Sequence, residues 1–206
     1  RRAAARRGAA LGRDAGLAGV VSIIGHGLPS AVDVGGRAVP INTSHHCGVR
    51  VGAILDDPTV ADPVARAAVL GNYFGGLPAG ADADALFEAA IRFYRRGEPV
   101  PKRAGKRRRP GPRVFDWEAD AGRLVADFQR FYGLDITDPS LHIHWWRFVA
   151  LFDGLPGDTS QTMQAVGVRA RDLSDCGSRE GRQLLHAQKK AVALPPRTAA
   201  EVTLDI

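Results

Sequence analysis

The first readable pattern in the chain is a short alternation of apolar and polar residues. Apolar and polar residues alternate over residues 32–34, before Gly35 and Gly36, and apolar residues return at every second position over residues 39–41. Alternation on both sides of a two-residue glycine turn predicts a β-hairpin. Pro40 has no backbone N–H to donate, so it indicates that the second strand lies at an edge.

Beyond the hairpin, apolar residues recur at three- and four-residue spacing, which is typical of amphipathic helices. Ser44, Asp62 and Asp82 are N-cap residues at the starts of such segments, and Gly97 and Gly133 are stop signals. The predicted helices span residues 45–55, 62–74, 82–96, 117–132, 140–153, 158–166 and 178–192. The fold class is therefore predicted to be mainly α, with helical bundle-like parts and a small N-terminal β-hairpin.

The predicted helix at residues 140–153 differs from the others because it is apolar on two sides. Its main face consists of Leu141, Trp145, Phe148, Val149 and Phe152. Its second face consists of Ile143, Trp146 and Ala150. Such a helix is either central in its own domain or covered by a partner, and both interpretations stay open. In the second, these three residues are the partner-binding residues, with Trp146 as the anchor.

The charge of the chain is concentrated in two short segments. Lys and Arg number 28 against 22 acidic residues, a net charge of +6. Residues 1–13 hold five arginines, and residues 99–113 hold seven Lys and Arg residues with no acid. The remainder has 16 cations against 22 acids, a balance of −6. The positive net charge of the whole chain therefore does not describe its main surface, which is expected to be acidic.

Composition also divides the chain along its length. Residues 98–113 contain four prolines and two glycines with no apolar periodicity, which predicts a flexible, extended linker. The predicted organisation is a disordered leader at 1–19, the hairpin and first helices at 20–98, a basic Pro/Gly linker at 99–113, a helical part at 114–194 and a tail at 195–206.

The chain offers little catalytic chemistry. His142 and His144 are two positions apart in a predicted helix, so their side chains point away from each other and cannot chelate one ion. His46 and Cys47 are adjacent in a predicted helix and cannot form a dyad, and Cys176 has no partner nearby. Phosphate-loop, nucleophile-elbow and zinc-protease motifs are absent from the sequence. We therefore expect no enzyme activity, catalytic residue, metal, cofactor or small-molecule substrate. The apolar runs are too short to span a membrane.

The residues that follow the basic segment resemble a known family. The motif comprises Phe115-Asp116-Trp117-Glu118-Ala119-Asp120, Phe128, Tyr132-Gly133-Leu134-Asp135-Ile136, His144-Trp145-Trp146-Arg147-Phe148, Leu151, Gly154-Leu155-Pro156, Thr159 and Arg169. Its order and spacing resemble the bacteriophage gene-product-fifteen family. The resemblance covers about residues 28–194. It departs at Ser44-His45-His46, where the family usually has an acidic, an aromatic and a basic residue, and this affects the first helix cap.

The resemblance implies a tail assembly chaperone that holds the tape-measure protein before the tail tube polymerises, in the cytoplasm of the bacterial host. It implies a non-enzymatic role. The alternative is a phage-encoded nucleic-acid-binding or regulatory protein that uses the basic linker. Nucleic acid is not the expected partner, because no aromatic residue is interleaved in residues 102–113 to stack on bases. The sequence leaves self-association into a homo-oligomer open.

Overall fold

The computed structural model describes residues 24, 27–98 and 113–197. The predicted leader, nearly all of the basic linker and the end of the tail lie outside these residues. The described elements are β1 (Ala31–Val34), β2 (Arg37–Pro40), α1 (His45–Asp56), α2 (Asp62–Phe74), α3 (Ala83–Tyr94), α4 (Ala121–Tyr132), α5 (Trp145–Asp153), α6 (Gln161–Ala170), a 3-10 turn (Leu173–Asp175) and α7 (Arg179–Ala191). The mainly α fold class is confirmed.

The N-terminal hairpin is confirmed. β1 and β2 pair antiparallel, with Ala31 opposite Pro40. Gly35 and Gly36 both have positive φ angles, which the tight turn requires and which glycine adopts without strain. The backbone N–H of Gly36 donates to a carboxylate oxygen of Asp33 at 2.8 Å. The hairpin lies against α3, with β1 making the contact.

The starts of α4 and α5 differ from the predicted ones. One carboxylate oxygen of Asp116 accepts hydrogen bonds from the N–H groups of residues 118 and 119, both at 2.9 Å. The cap therefore organises a turn over 117–120, and α4 begins only at Ala121.

Similarly, Asp138 accepts from the N–H of Ser140 at 2.8 Å and forms a local turn. The prediction that this Asp starts a helix at 140 was wrong.

The true start of α5 is fixed by a backbone contact with the start of α1. The N–H of His45 donates to the carbonyl of Ile143 at 2.8 Å, and the N–H of Trp145 donates to the carbonyl of Thr43 at 2.6 Å. Ser44 and His144 lie opposite each other in this antiparallel pair. We call this contact the helix-start bridge. It holds residues 143 and 144 extended, so the helix begins at Trp145.

Smaller shifts occur at two other helices. α2 includes Asp62 as its first residue, and Ala61 occupies the N-cap position without a side-chain hydrogen bond. α6 begins at Gln161, since the hydroxyl of Ser160 accepts from the N–H of Met163 at 3.1 Å. Asp127 of α4 supports the same helix end by accepting from Ser160, Gln161 and Thr162.

One hydrophobic core joins the residues on both sides of the basic segment. Its buried members are Ile41, Cys47, Val51, Val69, Tyr73, Ala90, Phe93, Leu124, Phe128, Ile143, Trp145, Trp146, Phe148 and Leu155. The predicted parts at 20–98 and 114–194 therefore share their interior, and removing either part would expose large aromatic side chains of the other.

α1 crosses α5 where glycines replace side chains on its inner face. A Cβ atom added to Gly48 would lie 2.1 Å from Cε3 of Trp145, and one added to Gly52 would lie 2.5 Å from Nε1 of Trp117. The indole N–H of Trp145 donates to the carbonyl of Tyr94 at 2.8 Å, and the two rings stack. The glycines within α1 are thus the places where the indole rings lie against the helix backbone.

A buried ion pair links three segments of the C-terminal half. Asp120 is fully buried, and the guanidinium of Arg169 donates to both of its carboxylate oxygens, at 2.7 and 2.9 Å. Arg169 also donates to the carbonyl oxygens of Val114 and Val192, at 2.9 and 2.6 Å. This arginine therefore fastens α6 to the start of α4 and to the end of α7.

We predict opposite effects for two glycine substitutions in helix interiors. Gly48→Ala should lower the free energy of unfolding by about 1–3 kcal/mol, because its Cβ overlaps the Trp145 ring. Gly71→Ala in α2 is the matched control: no atom lies within 4 Å of its added Cβ, so it should stabilise by about 0.5–1 kcal/mol. Urea unfolding monitored by circular dichroism measures both. Equal effects of the two substitutions would contradict the packing of Trp145 on Gly48.

We predict strong coupling between Asp120 and Arg169. Asp120→Asn leaves the buried Arg169 without a carboxylate, and Arg169→Met leaves the buried Asp120 with only the partly exposed Arg123, so each should cost about 3–5 kcal/mol. The double variant has no unpaired buried charge and should cost less than the sum, so a double-mutant cycle of unfolding free energies measures the coupling. Arg123→Ala is the control. Its side chain also contacts Asp120 but is one-third exposed, so it should cost about 1 kcal/mol or less. Additive costs in the double variant would argue against the coupling.

Candidate partner-binding groove

A groove of about 270 Å³ lies between α1 and α4, beside the helix-start bridge. Its lining is His45, His46, Val49, Arg50, Trp117, Ala121, Leu124, Val125, Ile136, Thr137 and Phe148. Most of these side chains are apolar, and no carboxylate is among them. A furrow between two helices with this lining has the form that accepts the apolar face of a third helix.

The two walls follow from the periodicity of their helices. On α1, Cys47 and Val51 point into the core, and Val49 and Arg50 turn toward the groove. On α4, Leu124 and Phe128 are buried, and the neighbouring Val125 is only partly covered. Each helix therefore presents an inner stripe to the core and a second apolar edge to the groove.

His45 lies at the floor of the groove and is buried. The N–H of Ile143 points to its Nδ1 at 3.4 Å, and its Nε2 lies 3.3 Å from the carbonyl of Ile136. A backbone N–H can only donate and a carbonyl can only accept, so the ring is neutral with its proton on Nε2. Burial, reinforced by the nearby His46, lowers the pKa of His45. His45, one of the three residues at which the chain departs from the family pattern, is thus a core residue with both ring nitrogens hydrogen-bonded.

His144 repeats this arrangement at the start of α5. Its Nδ1 accepts from the N–H of Trp146 at 3.1 Å, as an N-cap, and its Nε2 donates to the carbonyl of Pro29 at 2.9 Å. Burial lowers the pKa of His144, and the nearby His142 lowers it further. Protonating Nδ1 would remove the cap, so the neutral ring is the form that fits the fold.

His46 and His142, the other two histidines near the helix-start bridge, each make a contact through Nε2. His46 donates from Nε2 to the carbonyl of Asp138 at 3.1 Å, and Nε2 of His142 lies 3.2 Å from the hydroxyl of Thr43. Within residues 27–98 and 113–197, no group of three or more His, Cys, Asp or Glu side chains is arranged to hold a metal ion. The arrangement supports packing and helix capping rather than coordination chemistry.

Cys47 is also a core residue. Its thiol is buried and donates to the carbonyl of Asn72 at 3.2 Å. Burial raises the pKa of Cys47 to about 11, although the nearby Arg50 partly opposes this. The thiolate required of a nucleophile is therefore scarce near neutral pH.

Another cavity, of about 460 Å³, has a lining of different chemistry. Arg113 and Arg197 both reach Asp116 on its wall, the first at 3.3 Å. Burial alone would raise the pKa of Asp116, but hydrogen bonds from Ala119 and Arg197 bring it below its usual range. These charges are paired within the chain, so the smaller apolar groove is the better candidate for a partner.

The predicted partner-binding residues Ile143, Trp146 and Ala150 differ in how far the chain itself covers them. Ile143 and Trp146 are each only 4% exposed, and Ala150 is exposed. The indole N–H of Trp146 donates to the carbonyl of Phe93 at 2.8 Å, and its ring packs on the Phe93 ring. Ile143 lies before α5 in the helix-start bridge. Ile143 and Trp146 are therefore covered by the helix-start bridge and by α3 of the same chain, whereas Ala150 stays exposed.

The groove itself is not predicted by the sequence. Val49 and Val125 belong to different predicted helices, and no local pattern shows that those helices lie side by side. A partial signal exists in α4, where Val125 directly follows the core residue Leu124 and widens the apolar stripe. None of the helices in the described ranges has the length and hydropathy needed to span a membrane.

We predict that acid destabilises the fold below about pH 6.5. The folded pKa values of His45 and His144 are lowered, so below that pH the unfolded chain binds protons that the folded chain excludes. The urea midpoint should therefore be constant near pH 8 and fall toward about pH 5.5. His144→Asn keeps a cap acceptor but cannot titrate, so its midpoint should fall less steeply. A midpoint that does not change over this range would contradict the buried neutral rings.

Comparison with known proteins finds one matching family. A family model described as Bacteriophage Gp15 protein matches residues 24–194, which include both walls of the groove and the helix-start bridge. No curated protein and no solved structure matches the chain. The family match covers most of the chain and agrees with the resemblance of residues 115–159. The chain therefore belongs to the Bacteriophage Gp15 protein family and is a bacteriophage protein.

Proposed function

We propose that the protein is a non-enzymatic tail assembly chaperone that binds the tape-measure protein in the host cytoplasm before the tail tube polymerises. The observation that carries the proposal is the family match over residues 24–194, which establishes a phage protein. The resemblance of the motif at 115–159 supplies the specific role and the partner.

The groove supports this proposal because its lining is mostly apolar and can cover apolar residues of a partner. A tape-measure chain has long apolar helical stripes that would aggregate before the tube encloses them. An apolar furrow between α1 and α4 can cover part of such a stripe, with Val49 and Val125 on opposite walls. Burying apolar surface in this way removes it from water and from other exposed stripes.

Charge around the groove favours one kind of helix. Arg50 lies on the α1 wall and donates to the side chain of Asn72 at 2.9 Å, which holds its guanidinium in place. No carboxylate lines the groove. A partner helix with acidic residues beside its apolar stripe therefore fits better than a basic one.

The proposal requires no nucleotide. The growing tail tube can displace the chaperone by mass action, because it offers the tape-measure chain a competing set of contacts. The acidic balance of −6 outside the basic segments provides charge that keeps a chaperone complex in solution.

We predict that co-expression with the tape-measure protein of the same phage raises its soluble yield without added nucleotide. The complex should persist at about 0.5 M salt, where binding driven by phosphate contacts weakens strongly. Sedimentation of lysates and co-purification measure both effects. An insoluble tape-measure protein, with nucleic acid co-purifying in a salt-sensitive way, would instead support the nucleic-acid alternative.

Two neighbouring substitutions test the groove within this experiment. Val125→Glu places a charge on the groove wall and should abolish co-purification, because the carboxylate would be buried against an apolar helix. Ala126→Glu introduces the same charge at the next, exposed position of α4 and should leave co-purification intact. If both variants co-purify with the tape-measure protein like the unmodified protein, the tape-measure protein is still the partner but it does not bind in the groove.

A further inference from the structure

The groove between α1 and α4 adjoins the cavity of about 460 Å³. On the α1 side, Val49 and Arg50 line the groove, whereas Ala53 and Asp57 line the cavity. Trp117 lines both. A chain that lies in the cavity and passes Trp117 toward the start of α1 therefore enters the groove.

The last described residues of the chain lie in this cavity. Pro195, Pro196 and Arg197 are part of its lining. The guanidinium of Arg197 donates to the carboxylate of Asp116 and to the backbone carbonyl of Asp56, which belong to opposite sides of the cavity. These contacts place residue 197 next to the groove, so the residues that follow it in the sequence begin there.

Residues 198–206 have a sequence that suits the lining of the groove. Apolar residues stand at every second position of the segment, at Ala200, Val202, Leu204 and Ile206. The residues between them are polar or acidic, namely Glu201, Thr203 and Asp205. In an extended conformation this alternation gives the segment one apolar face and one acidic face.

We propose that residues 198–206 bind in the groove of their own chain, with the apolar face on the groove floor and the acidic face toward Arg50. The groove is then occupied until a partner displaces the segment. The segment would thus regulate partner binding, and this consequence rests on the proposed function, whereas binding of the segment in the groove does not.

The segment is long enough to reach the groove. Asp56 and Val49 are seven residues apart in α1, which corresponds to a rise of about 10 Å. The seven residues from Arg197 to Leu204 span up to about 23 Å when extended. The chain can therefore pass Trp117 and place Leu204 in the groove while Arg197 keeps its contacts.

Charge complementarity favours this segment as the occupant. Arg50 is exposed beside the groove, and its guanidinium donates to the side chain of Asn72 at 2.9 Å. None of the lining residues carries a carboxylate, so the acids of the segment meet no like charge there. The leader at 1–19 and the basic linker at 99–113 are both cationic and would place like charges beside Arg50.

Photo-crosslinking of the full chain tests the contact directly. A benzophenone amino acid replaces Val202, and an equal amount of isotope-labelled chain without it is added. Mass spectrometry then separates crosslinks within one chain from crosslinks between two chains. We expect crosslinks within one chain to groove-lining residues in the ranges 45–50 and 121–125.

Neighbouring substitutions provide matched controls for this experiment. Leu204→Glu places a charge on the apolar face and should reduce the yield of groove crosslinks at least about tenfold. Thr203→Glu introduces the same charge on the acidic face and should leave the yield unchanged. Arg50→Glu should reduce the yield about fivefold, whereas Arg147→Glu changes an exposed arginine outside the groove and should not reduce it.

Release of the segment should free the groove for the partner. The apparent dissociation constant of a partner rises as the fraction of chains with an open groove falls. A soluble helical fragment of the tape-measure protein should therefore bind the Leu204→Glu variant about tenfold more tightly than the unmodified chain. Thr203→Glu should bind like the unmodified chain, and Val125→Glu should lose both the crosslinks and the fragment.

Several outcomes would overturn the proposal: crosslinks that fall outside the groove, crosslinks that form only between two chains, or groove crosslinks that survive Leu204→Glu. If Leu204→Glu abolishes the crosslinks but leaves the affinity for the fragment unchanged, the segment does not compete with the partner and its regulatory role is wrong. A fragment that binds none of the variants would contradict the proposed function instead. The crosslinks would still decide whether the segment occupies the groove, so the two failures are distinguishable.

Discussion

Two backbone hydrogen bonds between residues 43–45 and 143–145 are the constraint on which the rest of the structure depends. Each bond satisfies an N–H group at a helix start, where no partner within the same helix exists. Together they fix α1 and α5 side by side at their first residues. Trp145 then falls on Gly48, and the floor of the groove forms from His45 and Phe148.

Several buried and half-buried polar side chains of this protein stabilise the fold. His45 and His144 use both ring nitrogens to join loops to helix starts, and Arg169 joins three segments through Asp120 and two carbonyls. Buried groups of this kind are costly when unpaired, so they penalise arrangements that break their contacts. This explains why many residues that carry the family resemblance lie in the interior, where they build a scaffold for surfaces elsewhere.

The sequence by itself determined what depends on neighbouring residues. The hairpin at Gly35-Gly36, and the starts of α1, α3 and α7 at Ser44, Asp82 and Ser178, follow from turn and cap chemistry that acts over a few positions. The mainly α class follows from apolar spacing. The family resemblance was also readable, since order and spacing of residues carry it.

Only the tertiary structure decided which faces are covered. Asp138 has the same cap signal as a helix start, but the N–H of Trp145 bonds to Thr43, far earlier in the chain, and this moves the start of α5. Periodicity showed that the region around Trp146 is apolar on two sides, but it could not show that Phe93 covers the second one. The groove was likewise undetermined by the sequence, because burial depends on contacts between segments distant in sequence, which local patterns do not encode.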